Sequence, residues 1–351
     1  MSAPAGTEAG RSARTTGRAV RMTGSGEPEQ HIETYDADRP AARRGKVVVR
    51  VEAAGVSYAE VQMLQHLHPF PPRFPFVPGY DVVGRIVEVG AGVTDWRPGD
   101  RVAAMPRYGG WQEYAEIPAS CLARLPEDLD AAEAVAMVTN GVTAWQMLHR
   151  LTDAAPGDTV LVHGASGGVG TVLTRIAVHH GLRVIGTASP AKHDAVRAMG
   201  AEPLDYRTTD LPAAVRRLAP QGVTAVFDHI GGRGLDDSWQ VLAPGGTLVS
   251  FDSSVAGYRP GQWFRPHVPA MRRGLTHAAA RLLGRTGGRR MRMYYVKPGK
   301  NFAADLATMY DLLGQGVLRP EIAGRLPLDE ASRALRELLD GRVVGKYVLI
   351  P

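Results

Sequence analysis

Glycines between a predicted strand and a predicted helix are the clearest candidates for chemistry in this chain. Residues 159–163 form a short β-rich run, and apolar residues then recur at helical spacing. The turn and the helix start carry Gly164, Ser166, Gly167, Gly168, Val169 and Gly170. A helix that begins there offers free N–H groups to an anion, and no glycine Cβ blocks its approach. The pattern predicts a dinucleotide-binding turn; the alternative is a tight turn without a ligand.

The end of the following strand bears on which dinucleotide would bind. Folds specific for NAD place an acidic residue there, which takes the ribose hydroxyls. The predicted strand 183–188 instead runs into Ser189 with no carboxylate, and Lys192 follows one turn later. This favours NADP(H) over NAD(H).

Length and composition limit the class of protein. The chain has 351 residues, enough for two domains with separate cores. Its hydrophobic content of 44% and net charge of +6 are ordinary for a soluble globular protein, and they do not argue for nucleic acid. Cys121 is the only cysteine, which excludes an intrachain disulfide and favours the cytoplasm. No apolar run approaches the roughly 18 residues of a membrane span.

The elements that must position the glycine turn change character along the chain. Residues 1–18 are small, polar and arginine-bearing, and we expect a disordered tail, with a transit peptide as the alternative. Residues 46–126 are short strands broken by turns, which predicts a barrel-like β domain. Residues 127–148 are apolar and alanine-rich, which predicts a connecting helix.

From residue 159 onward, strands and helices alternate. This order predicts parallel strands in a doubly wound sheet, with a dinucleotide outside their carboxyl ends. Residues 291–296 could form an edge strand, and two helices at 302–313 and 329–339 precede a closing strand at 345–351.

Several motifs, taken in this order, resemble those of the medium-chain dehydrogenase/reductase superfamily, and most closely its zinc-free quinone and enoyl reductase branch. They are EAAGVSYAEV (52–61), FVPGYDVVGRIVEVGAGVTDWRPGDRV (76–102), HGASGGVG (163–170), DHIGG (228–232) and the segment 319–351. The resemblance implies an α/β protein with a GroES-like β-barrel catalytic domain and a Rossmann nucleotide-binding domain. We expect the former at 19–128 and 298–351, and the latter at 129–297.

Zinc ligands of the metal-dependent branch are replaced in this chain. That branch has a cysteine where Ser57 stands and a histidine where Tyr80 stands, and its structural zinc needs four cysteines. We therefore expect no metal. Alcohol oxidation would lose its Lewis acid, whereas reduction of a polarised double bond needs none.

Candidate catalytic residues come from the barrel side of the expected cleft. Tyr58 follows the replaced ligand position, and its phenol could donate a hydrogen bond; the alternative is a packing tyrosine. His68 stands where many related reductases carry a tyrosine, and it could donate to an enolate; the alternative is a surface loop histidine. Ser57 and Tyr80 are expected to line the substrate pocket.

Cofactor contacts are also implied by the resemblance. Related reductases hold the 2′-phosphate of NADP with a serine, a lysine and a tyrosine, here Ser189, Lys192 and Tyr206. Asn140, Thr143, His229 and Ser253 are expected near the nicotinamide and its ribose.

The resemblance therefore implies an NADPH-dependent reductase of enones, enoyl compounds or quinones. The proton donor stays open between Tyr58, His68 and water. Two alternatives stay open as well: an enoyl reductase for a carrier- or CoA-bound intermediate, which the arginine-rich segment 272–292 could receive, and a non-catalytic NADPH-binding protein. Residues 291–296 resemble the strand through which relatives form homodimers.

Overall fold

A computed structural model describes residues 16–351, except for residues 69, 71, 208, 209, 233, 252–258, 260, 261 and 263. Residues 1–15 of the predicted tail and Ser253 therefore lie outside the described residues. Residues 16–18 were predicted to belong to the tail, but they begin the first strand, which pairs with the second. The elements up to the end of the first β-rich region are β1 (Thr16–Met22), α1 (Pro28–His31), β2 (Ile32–Asp38), β3 (Lys46–Gly55), α2 (Tyr58–Leu64), β4 (Val82–Val89), β5 (Arg101–Ala104), β6 (Tyr114–Pro118) and β7 (Leu122–Arg124).

The remaining elements begin with two successive helices and then alternate between strand and helix through β15. They are α3 (Ala131–Ala136), α4 (Val142–Leu151), β8 (Thr159–Val162), α5 (Gly168–His179), β9 (Arg183–Ala188), α6 (His193–Ala198), β10 (Glu202–Asp205), α7 (Leu211–Leu218), β11 (Val223–Asp228), α8 (Gly234–Gln240), β12 (Leu242–Phe251), α9 (Val268–Leu282), β13 (Arg290–Tyr294), α10 (Phe302–Gly314), β14 (Ile322–Pro327), α11 (Ala331–Leu339) and β15 (Lys346–Ile350).

Two large sheets organise these elements, in agreement with the predicted fold class. One has six strands in the order β10-β9-β8-β11-β12-β13, and every neighbouring pair in it is parallel. The other has seven strands in the order β14-β15-β3-β4-β5-β7, with β6 also paired to β3. The seven-stranded sheet is antiparallel except for the parallel pair β14-β15. The chain thus leaves this sheet, builds the parallel one, and returns for its last two strands.

The connection between the sheets differs from the single helix predicted for 127–148. The helix begins later, because the Asp130 side chain accepts a hydrogen bond from the Glu133 amide and caps α3. Between α3 and α4 the backbone forms a π-helical turn, Met137–Gly141. Such turns insert one extra residue and often occur at functional sites; here the turn contains Asn140.

A continuous apolar core connects the two sheets through these helices. It includes Val49 of β3, Ala134 of α3, Met147 of α4 and Val162 of β8, all fully buried or nearly so. Packing of α4 and α5 against the parallel sheet fixes the carboxyl ends of its strands next to the barrel. Among the described helices, none is long and apolar enough to span a bilayer.

Candidate active site

The glycine turn has the predicted position between β8 and α5. Gly164 adopts a left-handed backbone with φ of 62°, and the Gly167 amide donates to its carbonyl at 2.9 Å. Gly167 caps α5 without a side chain, so the amides of the first helical turn have no capping group. A Cβ on Gly170 would lie 2.1 Å from the Gly164 carbonyl oxygen, which explains the glycine there.

A buried hydrogen-bond network beneath the turn was missed by the sequence reasoning. The Gly164 amide donates to Thr187 Oγ1 at 3.1 Å, and Thr187 Oγ1 bonds to His163 Nδ1 at 3.1 Å. His163 Nε2 lies 3.0 Å from Ser238 Oγ, which donates to Asp228 Oδ2 at 2.6 Å. Since Ser238 gives its proton to the carboxylate, His163 Nε2 must be the donor and Nδ1 the acceptor.

This network holds the turn without a charged histidine. Burial lowers the pKa of His163, which keeps the imidazole neutral. The signal in the sequence was available, because His163, Thr187 and Asp228 each stand at or beside the carboxyl end of a parallel strand.

Three further groups lie against the turn. A Cβ on Gly168 would approach Asn140 Nδ2 to 2.5 Å, and one on Gly164 would approach His229 Nε2 to 2.3 Å. The Ser166 carbonyl accepts a hydrogen bond from the Gly345 amide at 2.9 Å. The residues predicted to meet the dinucleotide at 140, 164, 166, 168 and 229 are therefore neighbours in space. Within the described part of the chain, the buried Thr139 hydroxyl beside them has no hydrogen-bond partner. Uncapped first-turn amides and an unsatisfied hydroxyl suit a phosphorylated dinucleotide.

The residues predicted for the 2′-phosphate lie farther along the same edge. Ser189 follows β9 and makes no side-chain capping bond. Lys192 Nζ donates to the carbonyls of Gly341 and Val343, each at 2.7 Å, and burial lowers its pKa. Tyr206 is half-exposed and lines a cavity of about 650 Å³ together with His163 and Ile230. The ammonium group of Lys192 thus has one donor left beyond its two carbonyl bonds.

On the barrel side, Ser57 and Tyr58 begin helix α2. Ser57 is its N-cap, and the Glu60 carboxylate accepts from the Ser57 amide at 2.8 Å, which closes a capping box. Tyr58 is partly buried against the core. Glu60 Oε1 also accepts from the Tyr80 amide at 2.7 Å. Burial is the main cause that raises the pKa of Glu60 to about 7, and the hydrogen bond from Ser57 opposes it.

His68 and Tyr80 are brought together, and the link is a residue that the sequence reasoning missed. Tyr295 Oη lies 3.2 Å from His68 Nε2 and 3.0 Å from Tyr80 Oη. The Phe70 amide donates to His68 Nδ1 at 3.2 Å. His68 is 2% exposed, so it is not the surface loop histidine of the alternative, and burial lowers its pKa to about 4. It is therefore neutral at pH 7.

A buried ion pair joins Asp81, the residue after Tyr80, to Lys346 of the last strand, β15. Lys346 Nζ lies 3.1 Å from Asp81 Oδ2, and both side chains are almost fully buried. The Thr139 amide donates to the same carboxylate oxygen at 3.2 Å. The barrel, the connecting π-helical turn and β15 thus meet at Asp81, one residue from Tyr80.

The structure also shows the surroundings of Thr143 and of the arginine-rich segment 272–292. Thr143 is buried on α4, next to Tyr294, whose hydroxyl donates to Gln146 Oε1 at 2.9 Å. In the arginine-rich segment, Arg273 pairs with Asp236 and Arg290 with Asp153. Within the described ranges, no group of three or more His, Cys, Asp or Glu side chains is placed to hold a metal ion.

A parallel sheet with a glycine turn at its carboxyl edge, facing a second β domain, defines a two-domain dinucleotide-dependent oxidoreductase. Family models agree: residues 43–127 match the alcohol dehydrogenase GroES-like domain, and residues 199–349 match the zinc-binding dehydrogenase family. The chain belongs to the medium-chain dehydrogenase/reductase superfamily, in the zinc-free branch.

Three relatives illustrate that membership. The synaptic vesicle membrane protein VAT-1 homolog of Rattus norvegicus is 30% identical over 95% of this chain and 84% of its own length. A 2-haloacrylate reductase of Burkholderia sp is 29% identical over 88% of this chain and 91% of its own length. A mycobacterial protein solved in complex with NADPH is 30% identical, covers 95% of this chain and 100% of its own, and superposes with a TM-score of 0.81.

Proposed function

We propose that this protein is a zinc-independent, NADPH-dependent reductase that reduces an activated carbon–carbon double bond or a quinone. The observation that carries the proposal is the glycine turn at the start of α5, whose first helical turn has no side-chain cap. The neutral, buried His68 and Tyr80 on the barrel side support it. The relatives that bind NADPH or reduce a haloacrylate support the same chemistry. We expect the reaction to take place in the cytoplasm.

Each side of the proposed cleft has a distinct task. When bound, NADPH would supply the hydride. The first-turn amides of α5 would hold its pyrophosphate, with Asn140, Thr143 and His229 near the nicotinamide half and Ser189, Lys192 and Tyr206 near the 2′-phosphate. On the barrel side, hydroxyl and imidazole groups would stabilise the oxygen where negative charge develops, either directly or through Tyr295, which His68 and Tyr80 contact. One well-aimed donor of this kind lowers the barrier by about 3 kcal/mol.

A panel of acceptors tests the activity. We expect NADPH oxidation with conjugated enones, acrylates or quinones, and no dependence on added zinc. An enone that is reduced as well free as in thioester form would set aside the carrier-bound alternative. A protein that binds NADPH tightly but reduces nothing on the panel would refute catalysis and leave the non-catalytic alternative.

Cofactor choice is tested at Lys192. We expect Lys192→Ala to weaken NADPH binding about tenfold or more while NADH binding changes little, because only NADPH offers a 2′-phosphate to the ammonium group. Fluorescence titration with both nucleotides measures this. Since Lys192 also bonds to Gly341 and Val343, the melting temperature of the variant serves as the control. Equal losses for both nucleotides would contradict the assignment.

A further inference from the structure

Three side chains of the barrel domain converge on Tyr295, which directly follows β13 of the parallel sheet. His68 Nε2 lies 3.2 Å and Tyr80 Oη 3.0 Å from its hydroxyl. The guanidinium carbon of Arg107 lies 6.0 Å from the centre of its ring. Tyr295 therefore bridges the two domains through groups that are polar or charged.

The direction of the hydrogen bonds around Tyr295 follows from one backbone amide. The Phe70 N–H donates to His68 Nδ1, so in the neutral imidazole the proton is on Nε2, which points at Tyr295 Oη. Burial raises the pKa of Tyr80 far above its ordinary value, and the hydrogen bond to Tyr295 raises it further. Tyr80 thus keeps its proton and can donate to Tyr295 as well. Two hydrogen-bond donors to the Tyr295 oxygen stabilise the phenolate form of Tyr295 relative to the neutral phenol.

Arg107 adds a positive charge to the same site at a conformational cost. Its backbone lies in the left-handed region with φ of 74°, and its amide donates to the Tyr80 carbonyl at 3.3 Å. A non-glycine residue held in this region costs on the order of 1 kcal/mol and is concentrated at functional sites. The strain holds a guanidinium over the Tyr295 ring.

Of the three hydrogen-bonded side chains in this cluster, Tyr295 is the one that is exposed to an incoming molecule. It is 38% exposed, whereas His68 and Tyr80 are each 2% exposed. It follows the carboxyl end of a parallel strand, the edge at which such sheets bind their ligands. Its neighbour Tyr294 contacts α4, the helix that carries Thr143.

We propose that Tyr295 is the proton donor of the reductase reaction proposed above, and that His68 and Tyr80 are positioning residues that stabilise its anion. This inference rests on the proposed function. The acceptor gains a hydride at its β-carbon, and the π electrons move to its carbonyl oxygen as an enolate. The Tyr295 O–H bond then breaks, the proton joins the enolate, and the phenolate regains a proton from water at the exposed edge of the ring.

A titration of the protein without substrate tests the anion directly. Among the described residues, the charged and titratable groups near the Tyr295 hydroxyl include His68, Tyr80 and Arg107, with His267 next to His68 and Glu60 next to Tyr80. We expect ultraviolet tyrosinate absorbance to show one tyrosine that ionises below the ordinary pKa of about 10. Tyr295→Phe should abolish this step, and Tyr80→Phe should move it to higher pH because a donor to the anion is lost. Tyr35→Phe, a substitution in β2 beside Arg21, is the matched control and should leave it unchanged. A tyrosine ionisation below the ordinary pKa that persists in Tyr295→Phe would overturn the inference.

Steady-state kinetics with an acceptor that the wild-type protein reduces test the role of Tyr295 in the reaction. Tyr295→Phe should lower kcat about 100-fold or more, leave NADPH affinity unchanged and remove the decline of activity at high pH. His68→Gln should keep a donor to Tyr295 and preserve that decline, whereas His68→Leu should move it to higher pH. An active wild type with Tyr295→Phe within threefold of it would overturn the inference and leave the proposed function standing. A wild type that reduces no acceptor would refute both, even if Tyr295 ionises early.

Discussion

At the scale of single residues, the pair of Lys346 and Asp81 shows how much a buried charge depends on its partner. Removing one partner of such a pair typically costs about 3–5 kcal/mol, because the other charge stays buried and uncompensated. Among the residues that the structure describes, Asp81 Oδ1 has no hydrogen-bond partner, so Lys346 Nζ and the Thr139 amide at Oδ2 are the contacts that stabilise this carboxylate.

Lys346→Met should therefore lower the free energy of unfolding by several kcal/mol, and the double variant Lys346→Met/Asp81→Asn should recover most of the loss. The side-chain amide introduced by Asp81→Asn would still accept a hydrogen bond from the Thr139 amide without carrying a charge. Urea unfolding of the two single variants and the double variant measures the coupling. Losses that simply add would contradict the interpretation of the pair.

Single residues also show where sequence reasoning ends. His68 and Tyr80 could be named from the resemblance, but Tyr295 is 227 residues away from His68 in the chain. The hydrogen bond between them depends on how two domains meet, and no local pattern encodes that. The predicted strand 291–296 also ran past its end, since β13 stops at Tyr294, and this end frees Tyr295 to cross to the barrel.

At the scale of elements, strand–turn–helix β8-α5 was predictable because its signals are local: a β-rich run, a set of glycines and a 3.6-residue period. The break between α3 and α4 was not, since no glycine or proline signal separates Ala136 from Met137. Contacts of the π-helical turn with Asp81 and with Gly168 accompany that break.

Substitution of Gly170 tests how closely helix α5 must pack against the glycine turn that precedes it. In Gly170→Ala the new Cβ would meet the Gly164 oxygen at 2.1 Å and Ala165 Cα at 2.8 Å, both backbone atoms that cannot move aside alone. We expect a loss of about 1–3 kcal/mol in stability and weaker NADPH binding. Thermal unfolding and nucleotide titration measure the two effects.

A matched control is available in helix α9. The Cβ of Gly274→Ala would meet only Met293 Sδ, at 4.0 Å, so this variant should be neutral or stabilised by about 0.5–1 kcal/mol. Equal behaviour of the two variants would contradict the role given to Gly170.

At the scale of the whole molecule, β13 lies at the end of the parallel sheet, and exposed apolar side chains surround it. Met293 is 53% exposed, and Met271 and Leu275 of α9 are 42% and 73% exposed. An unpaired strand edge with apolar neighbours favours association. We therefore propose that two chains pair through residues 291–296.

Met293→Glu should shift such a dimer to monomers, because it places a charge in the paired edge. Sedimentation velocity across a range of concentrations measures the change. Ile350→Glu, at a 37% exposed position on the other large sheet, should not alter the oligomeric state. A wild type that sediments as a monomer throughout would refute the dimer.

The return of the chain to the seven-stranded sheet has a consequence for biosynthesis. Strand β3 pairs with β15 at Gly55 and Ala54, so the opening and closing segments of the sequence share one sheet. During translation the nucleotide-binding region can gain its parallel strands while the barrel still lacks its last two. Nascent chains that have not yet emerged to residue 350 would expose the β3 edge and leave Asp81 without its lysine, and they are the species most in need of chaperone protection.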